Sequence, residues 1–281
     1  MILAVLGDVH GALDAMYEAV RLFEEKHSLR VAGVLQVGDM GVFPDPAKLD
    51  RATWKHARED PTELGAADYV SGKKRATHPT WFVRGNHEDF EFLMQRKNRC
   101  IDPYGLIHHV FGGPITITSG GEHVRLAGLG GIEERGGGSG DLGTKFGHTR
   151  GHSPQRWKYI SQRELDELSA LREGDVDALL THDGPMGYFL GWAGIGSETI
   201  RGLIQRLQPH YHFFGHYGPD WSRANRVAQI GRTRSILLNQ LDVYTLPRRD
   251  GGMGILDVSD WSFRHVNPHE LQPQLGGGAN P

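Results

Sequence analysis

The sequence predicts a single-domain α/β protein in which two layers of β-sheet lie together and helices cover their outer faces. The first observation is the order strand, loop, helix, which occurs three times before residue 100. The second is the change after Cys100 to short β-like runs separated by glycine and proline turns. Strands that alternate with helices form parallel sheets, whereas short strands joined by tight turns form antiparallel ones. We therefore expect both kinds of strand pairing.

Sequence patterns in the first part of the chain predict three strands and three helices. The apolar run ILAVL ends at Gly7, and residues 13–27 then carry apolar side chains at helical spacing. The run VAGVLQV ends at Gly38 and precedes a polar helix in residues 45–60, which has a proline near its start. The run PTWFV leads into RGNHEDFEFLMQ, which enters the third helix. This order predicts a parallel sheet with crossover helices.

The second part is predicted to be richer in strands. The runs LIHHV, ITIT and HVRLAGLGG read as antiparallel strands, and residues 130–153 contain too much glycine to form a core, which predicts a mobile loop. Helices are expected in SQRELDELSALRE and in GSETIRGLIQRLQ, where Ser197 is placed to cap. The runs VDALLT, HYHFF, RSILLN, GMGILDV and WSFRHV complete the strands. The domain is predicted to span 1–268, followed by a disordered tail over 269–281.

Composition excludes several classes of protein. Of 281 residues, 38% are hydrophobic and 23% charged, with a formal net charge of -3, which is typical of soluble globular proteins. The opening MILAVLG is too short for a signal peptide and reads as a strand, so we expect a cytoplasmic protein without a membrane partner. A single cysteine, Cys100, excludes an intrachain disulfide and a thiolate metal cluster. The mild acidity requires any nucleic-acid partner to bind a local basic surface.

Five polar clusters each follow a predicted strand. They are GDVHG with Asp8 and His10, GDMG with Asp39, RGNHED with Asn86 and His87, THDGP with His182, and FGHYG with His216. Any one of these residues alone is more often a turn residue or a helix cap. Because ligand sites in α/β sheets lie outside the carboxyl ends of strands, five such clusters in order predict one shared site.

The residue types in these clusters favour a dinuclear metal centre. Carboxylate, imidazole and amide ligands without thiolate suit Mn²⁺, with Fe, Zn²⁺ or Ni²⁺ as alternatives. The predicted ligands are Asp8, His10, Asp39, Asn86, His182 and His216. Asp39 is the expected bridge between two divalent ions, which would hold a hydroxide and clamp a phosphate for in-line attack. His87 would face the substrate as a general acid or as a stabiliser of charge.

Other side chains are candidates for binding the substrate. Arg84 either contacts phosphate oxygens or forms a salt bridge outside the ligand set. His148 and His152, in the glycine-rich loop, either close over a phosphate or belong to a solvated flexible segment. Five aromatic residues near this loop either stack on bases or pack against the sheet edge. They are Trp157, Tyr159, Tyr188, Phe189 and Trp192.

The clusters, written GDVH, GD, GNHE, HD and GH, resemble those of the calcineurin-like metallophosphoesterase superfamily from Leu6 to Gly218. The resemblance implies a four-layer α/β/β/α sandwich with two mixed β-sheets, a dinuclear centre, hydrolysis of phosphomonoesters or phosphodiesters, and the residue roles given above. Within the superfamily, SGKKRATHPTWFVRGNHED, RLAGLGGI, THDGP and LQPHYHFFGH are similar to RNA lariat debranching enzymes and their bacterial relatives.

Two positions depart from the patterns of this superfamily. Many of its phosphodiesterases end in GHxH, whose last histidine binds the first ion, but Gly218 stands at that position here. The protein phosphatases of the superfamily also lack this histidine, and they carry an aspartate, paired with the catalytic histidine, where this chain has Val42. Asp220 or a water would fill the open coordination position, unless Asp220 only shapes its turn.

Together these features predict a metal-dependent phosphodiesterase acting on a nucleotide, RNA or DNA. A phosphomonoesterase, including a protein phosphatase-like one, is the first alternative. The second alternative is a module that binds phosphate or nucleotide with weak turnover. Retention of both His87 and a bridging Asp39 disfavours the second alternative, since a pure binding module needs neither.

Overall fold

The computed structural model describes residues 1–96, 99–134, 154–188, 195–217, 227–241 and 250–272. Its strands form two mixed six-stranded sheets. The first sheet contains β1 (Ile2–Leu6), β2 (Gly33–Gln36), β3 (Thr80–Phe82), β4 (Ile107–His109), β11 (Met253–Asp257) and β12 (Ser262–His265). Its order is β12-β11-β1-β2-β3-β4, with β1 to β4 parallel and β11 and β12 antiparallel to their neighbours.

The second sheet lies against the first. It contains β5 (Gly112–Ser119), β6 (Glu122–Leu129), β7 (Ala178–Thr181), β8 (Tyr211–Phe214), β9 (Val227–Ile230) and β10 (Thr233–Leu237). Its order is β5-β6-β7-β8-β10-β9, with a parallel centre and an antiparallel strand at each edge. The carboxyl ends of the parallel strands in each sheet therefore lie at one edge of that sheet.

Six α-helices accompany the sheets in the part of the chain that the structure describes. They are α1 (Leu13–His27), α2 (Arg51–Ala57), α3 (Ala66–Val70), α4 (Phe90–Met94), α5 (Gln162–Ser169) and α6 (Glu198–Leu207). The predicted cap of α6 is confirmed, because the Ser197 hydroxyl accepts a 3.0 Å hydrogen bond from the Ile200 amide. Within the described residues, none of the helices combines the length and the apolar character needed to cross a bilayer.

Strand β1 shows how the layers are built, since both of its faces are apolar. Leu3 and Val5 belong to the core between the two sheets, while Ala4 and Leu6 belong to the core between the first sheet and α1. Leu179 of β7 joins a third core with α5 and α6. The sheets are thus covered by helices on their outer faces, and the predicted α/β/β/α sandwich is confirmed.

Two predicted elements differ from the structure. The run LIHHV forms β4, which pairs with β3 in parallel rather than in an antiparallel arrangement. The single polar helix expected in 45–60 is interrupted, because Asp45 and Asp50 each cap a new start. Asp45 accepts from the amide of Ala47, and Asp50 accepts from those of Ala52 and Thr53.

The folded chain also continues past the predicted boundary at 268. A 3₁₀ helix spans Pro268–Leu271 and carries a capping box between Asn267 and Glu270. It docks on α1, where the Lys26 ammonium donates to the His269 carbonyl and Leu271 is buried. The predicted boundary at 268 is therefore wrong, because residues 268–271 are folded, and the rest of the predicted tail, 273–281, lies outside the described residues. The predicted mobile loop lies mostly outside the described residues, at 135–153.

Candidate metal centre

Five loops bring the predicted ligands together at the seam between the sheets. Asp8 and His10 follow β1, Asp39 follows β2, and Asn86 follows β3 in the first sheet. His182 and His216 follow β7 and β8 in the second sheet. Two groups could each hold a metal ion, with ligand atoms all within 4.8 Å of one another. The groups are Asp8, His10, Asp39 and Asp39, His182, His216.

Asp39 belongs to both groups and is fixed by its neighbours. Its Oδ1 accepts hydrogen bonds from the amides of Asn86 at 2.7 Å and His87 at 2.8 Å. Its Oδ2 lies 3.4 Å from His182 Nε2. The side chain is almost fully buried, so this carboxylate is oriented by the loop after β3 toward the second sheet. Asp39 is therefore placed between the two groups, and its bridging role stays a prediction.

His182 is held with one ring nitrogen directed into the site. Its Nδ1 lies 3.0 Å from the Val37 carbonyl, which accepts only if Nδ1 carries the proton. Its Nε2 lies 3.0 Å from the Asn86 side-chain oxygen. A hydrogen bond of this kind at the far nitrogen is how metal-binding histidines are oriented in proteins. Asn86, which neither group of acidic and histidine side chains includes, therefore lies in contact with one member of the second group, and its role as a ligand stays a prediction.

The backbone around the ligands is unusual in two ways. His10, Asp39 and His216 have φ angles of 43°, 50° and 71°, a left-handed region that non-glycine residues seldom adopt. Gly85 and Gly215 have no room for a side chain, because a Cβ would meet carboxylate oxygens of Asp39 at 2.0 Å and Asp8 at 2.2 Å. Such strain persists where surrounding structure enforces it, and it is concentrated at functional sites.

The buried charges of the site require positive compensation. Burial raises the pKa of Asp8 even though His182 opposes the shift. Burial would also raise the pKa of Asp39, but the neighbouring His182 holds it well below its usual value. Conversely, Asp39 raises the pKa of His182 to about 10 against the effect of burial. Two buried carboxylates thus stabilise a cation between them, and divalent ions meet that requirement.

His87 lies beside the ligands and pairs with a carboxylate that the sequence did not identify. Its Nδ1 donates to Asp50 Oδ2 at 2.9 Å. Burial alone would lower the pKa of His87, but the bond to Asp50 and the charge of Asp39 raise it to about 9. The same bond lowers the pKa of Asp50 to about 2 against the effect of burial. Val42 had predicted that this chain lacks such an aspartate–histidine pair, but a pair is formed by a different residue, Asp50.

The ring of His87 opens onto a cavity of about 270 Å³. This cavity is lined by His10, Ala52, Thr53, Glu63, His87 and Gln240. Burial, reinforced by the nearby Asp60, raises the pKa of Glu63 to about 7. The candidate metal centre therefore borders, through His10, a polar cavity that contains a carboxyl group.

Glu88 supports the site without bordering the cavity. Its carboxylate accepts from the amides of Met40 at 2.9 Å and Val42 at 2.6 Å, and it lies 3.4 Å from the Gly85 amide. It therefore ties the loop after β2 to the loop after β3. The motif RGNHED contains this residue, but only the contacts between loops reveal its role.

The structure gives Arg84 an internal role rather than the predicted contact with phosphate. Its guanidinium has no exposed surface and lies 2.5 Å from Glu164. It donates to the carbonyls of Trp157, Gly130 and Tyr159 at 2.8–3.1 Å. Of the two alternatives for Arg84, the salt bridge is the one formed, because a buried guanidinium cannot reach a substrate. It joins the chain on both sides of the 135–153 segment.

The other substrate candidates have mixed outcomes. His148, His152, Gly218 and Asp220 lie outside the described residues, as do Phe189 and Trp192. Tyr188 is buried and packs edge-on against Phe214, with ring centroids 4.8 Å apart. For Tyr188, the alternative of packing against the sheet is confirmed.

Replacing Arg84 with methionine is expected to lower the free energy of unfolding by about 3–5 kcal/mol, because the charge of Glu164 remains buried without a partner. Three carbonyls lose their donors as well. Urea unfolding of the variant and wild type measures the difference. Arg21→Met, which breaks exposed ion pairs with Glu18 and Glu25, is the control and should change little. Similar losses in the two variants would contradict a structural role for Arg84.

Comparisons with known proteins agree with this geometry. The model of the family described as calcineurin-like phosphoesterase matches residues 1–218. The lariat debranching enzyme of Arabidopsis thaliana is 26% identical over 239 residues, which cover 77% of this chain and 54% of that protein. The lariat debranching enzyme of Danio rerio is 26% identical over 299 residues, which cover 92% and 48%. The chain spans about half the length of the curated relatives it matches.

A solved structure shares the fold. The crystal structure of TT1561 of Thermus thermophilus superposes with a TM-score of 0.56 at 15% identity, covering 95% of this chain and 98% of that one. The family match spans all five polar clusters up to Gly218, which confirms the resemblance drawn from them. The chain belongs to the calcineurin-like phosphoesterase family.

Proposed function

We propose that the protein is a metal-dependent phosphodiesterase that hydrolyses a phosphodiester of a nucleotide or nucleic acid. The observation that carries the proposal is Asp39, which lies in two ligand groups and also orients the amide of His87. The proposed ligands of the first ion are Asp8, His10 and Asp39. Those of the second ion are Asp39, Asn86, His182 and His216. When bound, two divalent ions activate water and neutralise charge on the phosphate.

The residues of the chain supply the remaining chemistry. Water attacks phosphorus and the bond to the leaving oxygen breaks, so that oxygen needs a proton. In the metal-free protein, the bond to Asp50 and the charge of Asp39 raise the pKa of His87 to about 9 against the effect of burial, so its ring carries a proton at neutral pH. Since its Nδ1 bonds to Asp50, its Nε2 is the nitrogen that would give a proton to the leaving oxygen. Asp50 orients the ring and keeps it cationic.

The cavity favours a diester over a monoester. Among the described residues that line it, one is acidic, Glu63, and none is lysine or arginine. A phosphomonoester carries about 1.5 to 2 negative charges at neutral pH, whereas a diester carries one. Above the pKa of about 7 that burial gives Glu63, its carboxylate is ionised and repels a monoester more than a diester. The lariat debranching relatives, which are named for action on branched RNA, agree with a diester substrate.

The pairing of His87 with Asp50 supports one alternative, a phosphomonoesterase. The sequence comparison had associated such a pair with protein phosphatases of the superfamily. Rates of the Mn²⁺-loaded protein on bis-p-nitrophenyl phosphate and p-nitrophenyl phosphate separate the two functions. We expect metal-dependent hydrolysis with the diester preferred. A faster monoester reaction would favour the alternative, and a metal-loaded protein inert on both substrates would reject both in favour of a binding module.

Glu63→Gln is expected to raise the ratio of monoester to diester kcat/KM about fivefold, which corresponds to ~1 kcal/mol of removed charge repulsion. Parallel assays of the two nitrophenyl esters give the ratio directly. The matched control is Glu59→Gln, an exposed carboxylate that does not line the cavity. An unchanged ratio in Glu63→Gln would show that this side chain does not select between ester types.

A further inference from the structure

The solvent face of α2 presents an aromatic ring among cations. Arg51, Trp54, Lys55 and Arg58 recur at the spacing i, i+3, i+4, i+7, which places them on one side of the helix and the turn that follows. All four are exposed, and Trp54 retains 52% of its surface. The Arg58 guanidinium lies over the indole, 4.9 Å from its centroid. We call these four residues the α2 stripe.

The fold does not account for the α2 stripe. Among the described side chains of α2, Thr53, on the opposite side of the helix, is the buried one. With the described residues, none of the three cations forms an ion pair, unlike Arg21 of α1, which pairs with Glu18 and Glu25. The whole chain has a net charge of -3, so a cluster of such cations runs against its average. A single exposed tryptophan is ordinary, but one set among cations suits an anionic aromatic ligand.

The α2 stripe is adjacent to the proposed catalytic residues. Ala52 and Thr53 line the same cavity as His10 and His87. Trp54 follows Thr53 directly along α2, so the α2 stripe occupies the outer side of the same helical turn whose other side lines the cavity. A polymer with its phosphodiester at the metal centre would therefore have its neighbouring units beside α2.

We propose that the α2 stripe is a docking surface for single-stranded nucleic acid, in which a base near the reacting phosphate stacks on Trp54 and adjoining phosphates contact Arg51, Lys55 and Arg58. This inference rests on the proposed function, whose substrate class it narrows to a polymer. Aromatic rings and cations together bind single strands with little sequence preference, since every base has a stacking face. A duplex offers no free base for this contact, and an acidic peptide would use the cations but not the ring.

The test is the affinity of the Mn²⁺-loaded protein for a fluorescent single-stranded oligonucleotide of about ten nucleotides, with phosphorothioate linkages that resist cleavage. Anisotropy then reports binding without turnover. We expect Trp54→Ala to weaken binding about tenfold and Trp54→Phe to retain most of it. Lys55→Glu should weaken binding and reduce the dependence of affinity on salt, because one phosphate contact is lost.

Matched controls lie at the opposite edge of the first sheet. Tyr104 is 46% exposed and has the Arg75 guanidinium 5.4 Å from its ring, but it precedes β4 rather than following a strand into the site. Arg30 is an exposed cation that precedes β2. Tyr104→Ala and Arg30→Glu should bind the oligonucleotide like wild type. Circular dichroism of each variant verifies that it is folded.

Several results would overturn the inference. One is unchanged affinity in folded Trp54→Ala, and another is equal weakening in Tyr104→Ala. A third is an equal dependence on Trp54 for a duplex of the same length. A polyglutamate peptide that binds as tightly as the oligonucleotide would assign the cations to an acidic protein partner instead. Failure of wild type to hydrolyse bis-p-nitrophenyl phosphate would reject the proposed function while leaving this binding measurement intact.

Discussion

Asp39→Ala is expected to abolish Mn²⁺-dependent hydrolysis of bis-p-nitrophenyl phosphate. Asp39 is the residue shared by both ligand groups, so its loss affects both proposed ions at once. Its Oδ1 also accepts hydrogen bonds from the amides of Asn86 and His87, and the substitution leaves these amides unpaired. We expect the loss in kcat/KM to exceed the ~10–100-fold that removal of a hydrogen-bond partner outside the ligand set costs.

Metal content and rate should be measured on the same preparations. Asp39→Asn keeps the shape of the side chain and an acceptor for the two amides, but it loses the charge. We expect this variant to be folded but to bind fewer metal ions than wild type. The control is Asp260→Asn, because Asp260 is a turn residue after β11, at the opposite edge of the sheet. An Asp39→Ala protein that binds two ions, or keeps wild-type rates, would refute the proposed centre.

Asp50→Asn is expected to lower the pKa of His87 from about 9 toward its ordinary value near 6.5. Asparagine can still cap α2, so the helix should persist while the charge facing His87 is lost. If His87 donates the proton to the leaving oxygen, kcat for the diester should fall about 10–100-fold, as for loss of an orienting partner. The alkaline limb of the pH profile should move to lower pH.

Proton NMR of His87 in the metal-free protein measures its pKa, and initial rates give the pH profile. Asp45→Asn is the control. Asp45 caps the 3₁₀ helix at Pro46–Lys48 in a similar way, but its side chain bonds to the Ala47 amide and not to His87. An unchanged pKa for His87 in Asp50→Asn would show that the pair does not set its charge. Restored activity in Asp50→Glu, with the alkaline limb back near its wild-type position, would support positioning by the carboxylate.

The same pair gives the metal-free protein a pH-dependent stability with a definite sign. His87 has a raised pKa, so its contribution is complete below ~6.5 and is lost as pH rises through about 9. Asp50 has a lowered pKa, so its contribution is present above ~3.9 and is lost as pH falls through about 2. The stability advantage of wild type over Asp50→Asn should therefore be largest between about pH 4 and 6.5.

The side chains of the candidate metal groups were predictable from sequence because their signals are local. Each lies within a few residues of the end of an apolar run, and parallel pairing then brings the ends of neighbouring strands to one edge. Strand β4 was wrongly predicted to be antiparallel. It has only three residues, and so short a run does not indicate which strand it pairs with. The boundary at 268 was placed early because the polar run after it docks on α1 through contacts made only in the folded chain.

Roles that depend on distant partners could not be read from sequence. Asp50 reads as a helix cap, and its bond to His87 joins residues 37 positions apart. Arg84 reads as a surface cation, since arginine is seldom buried, until Glu164 is found against it. From sequence, Trp54 is one residue of a polar helix. Its place on α2, directly after the cavity-lining Thr53, depends on the helix start that Asp50 caps. The sequence therefore predicted which side chains gather at this edge, but not the contacts that support them.

The ligand groups draw on both sheets, and this has a consequence for the architecture as a whole. Asp8, His10, Asp39 and Asn86 extend from one sheet, while His182 and His216 extend from the other. The core between the two sheets is apolar, and apolar contacts are not directional. By themselves they therefore only weakly resist sliding of one sheet over the other. Ligands fixed on one ion oppose that sliding. A bound metal ion would therefore fix the position of one sheet relative to the other.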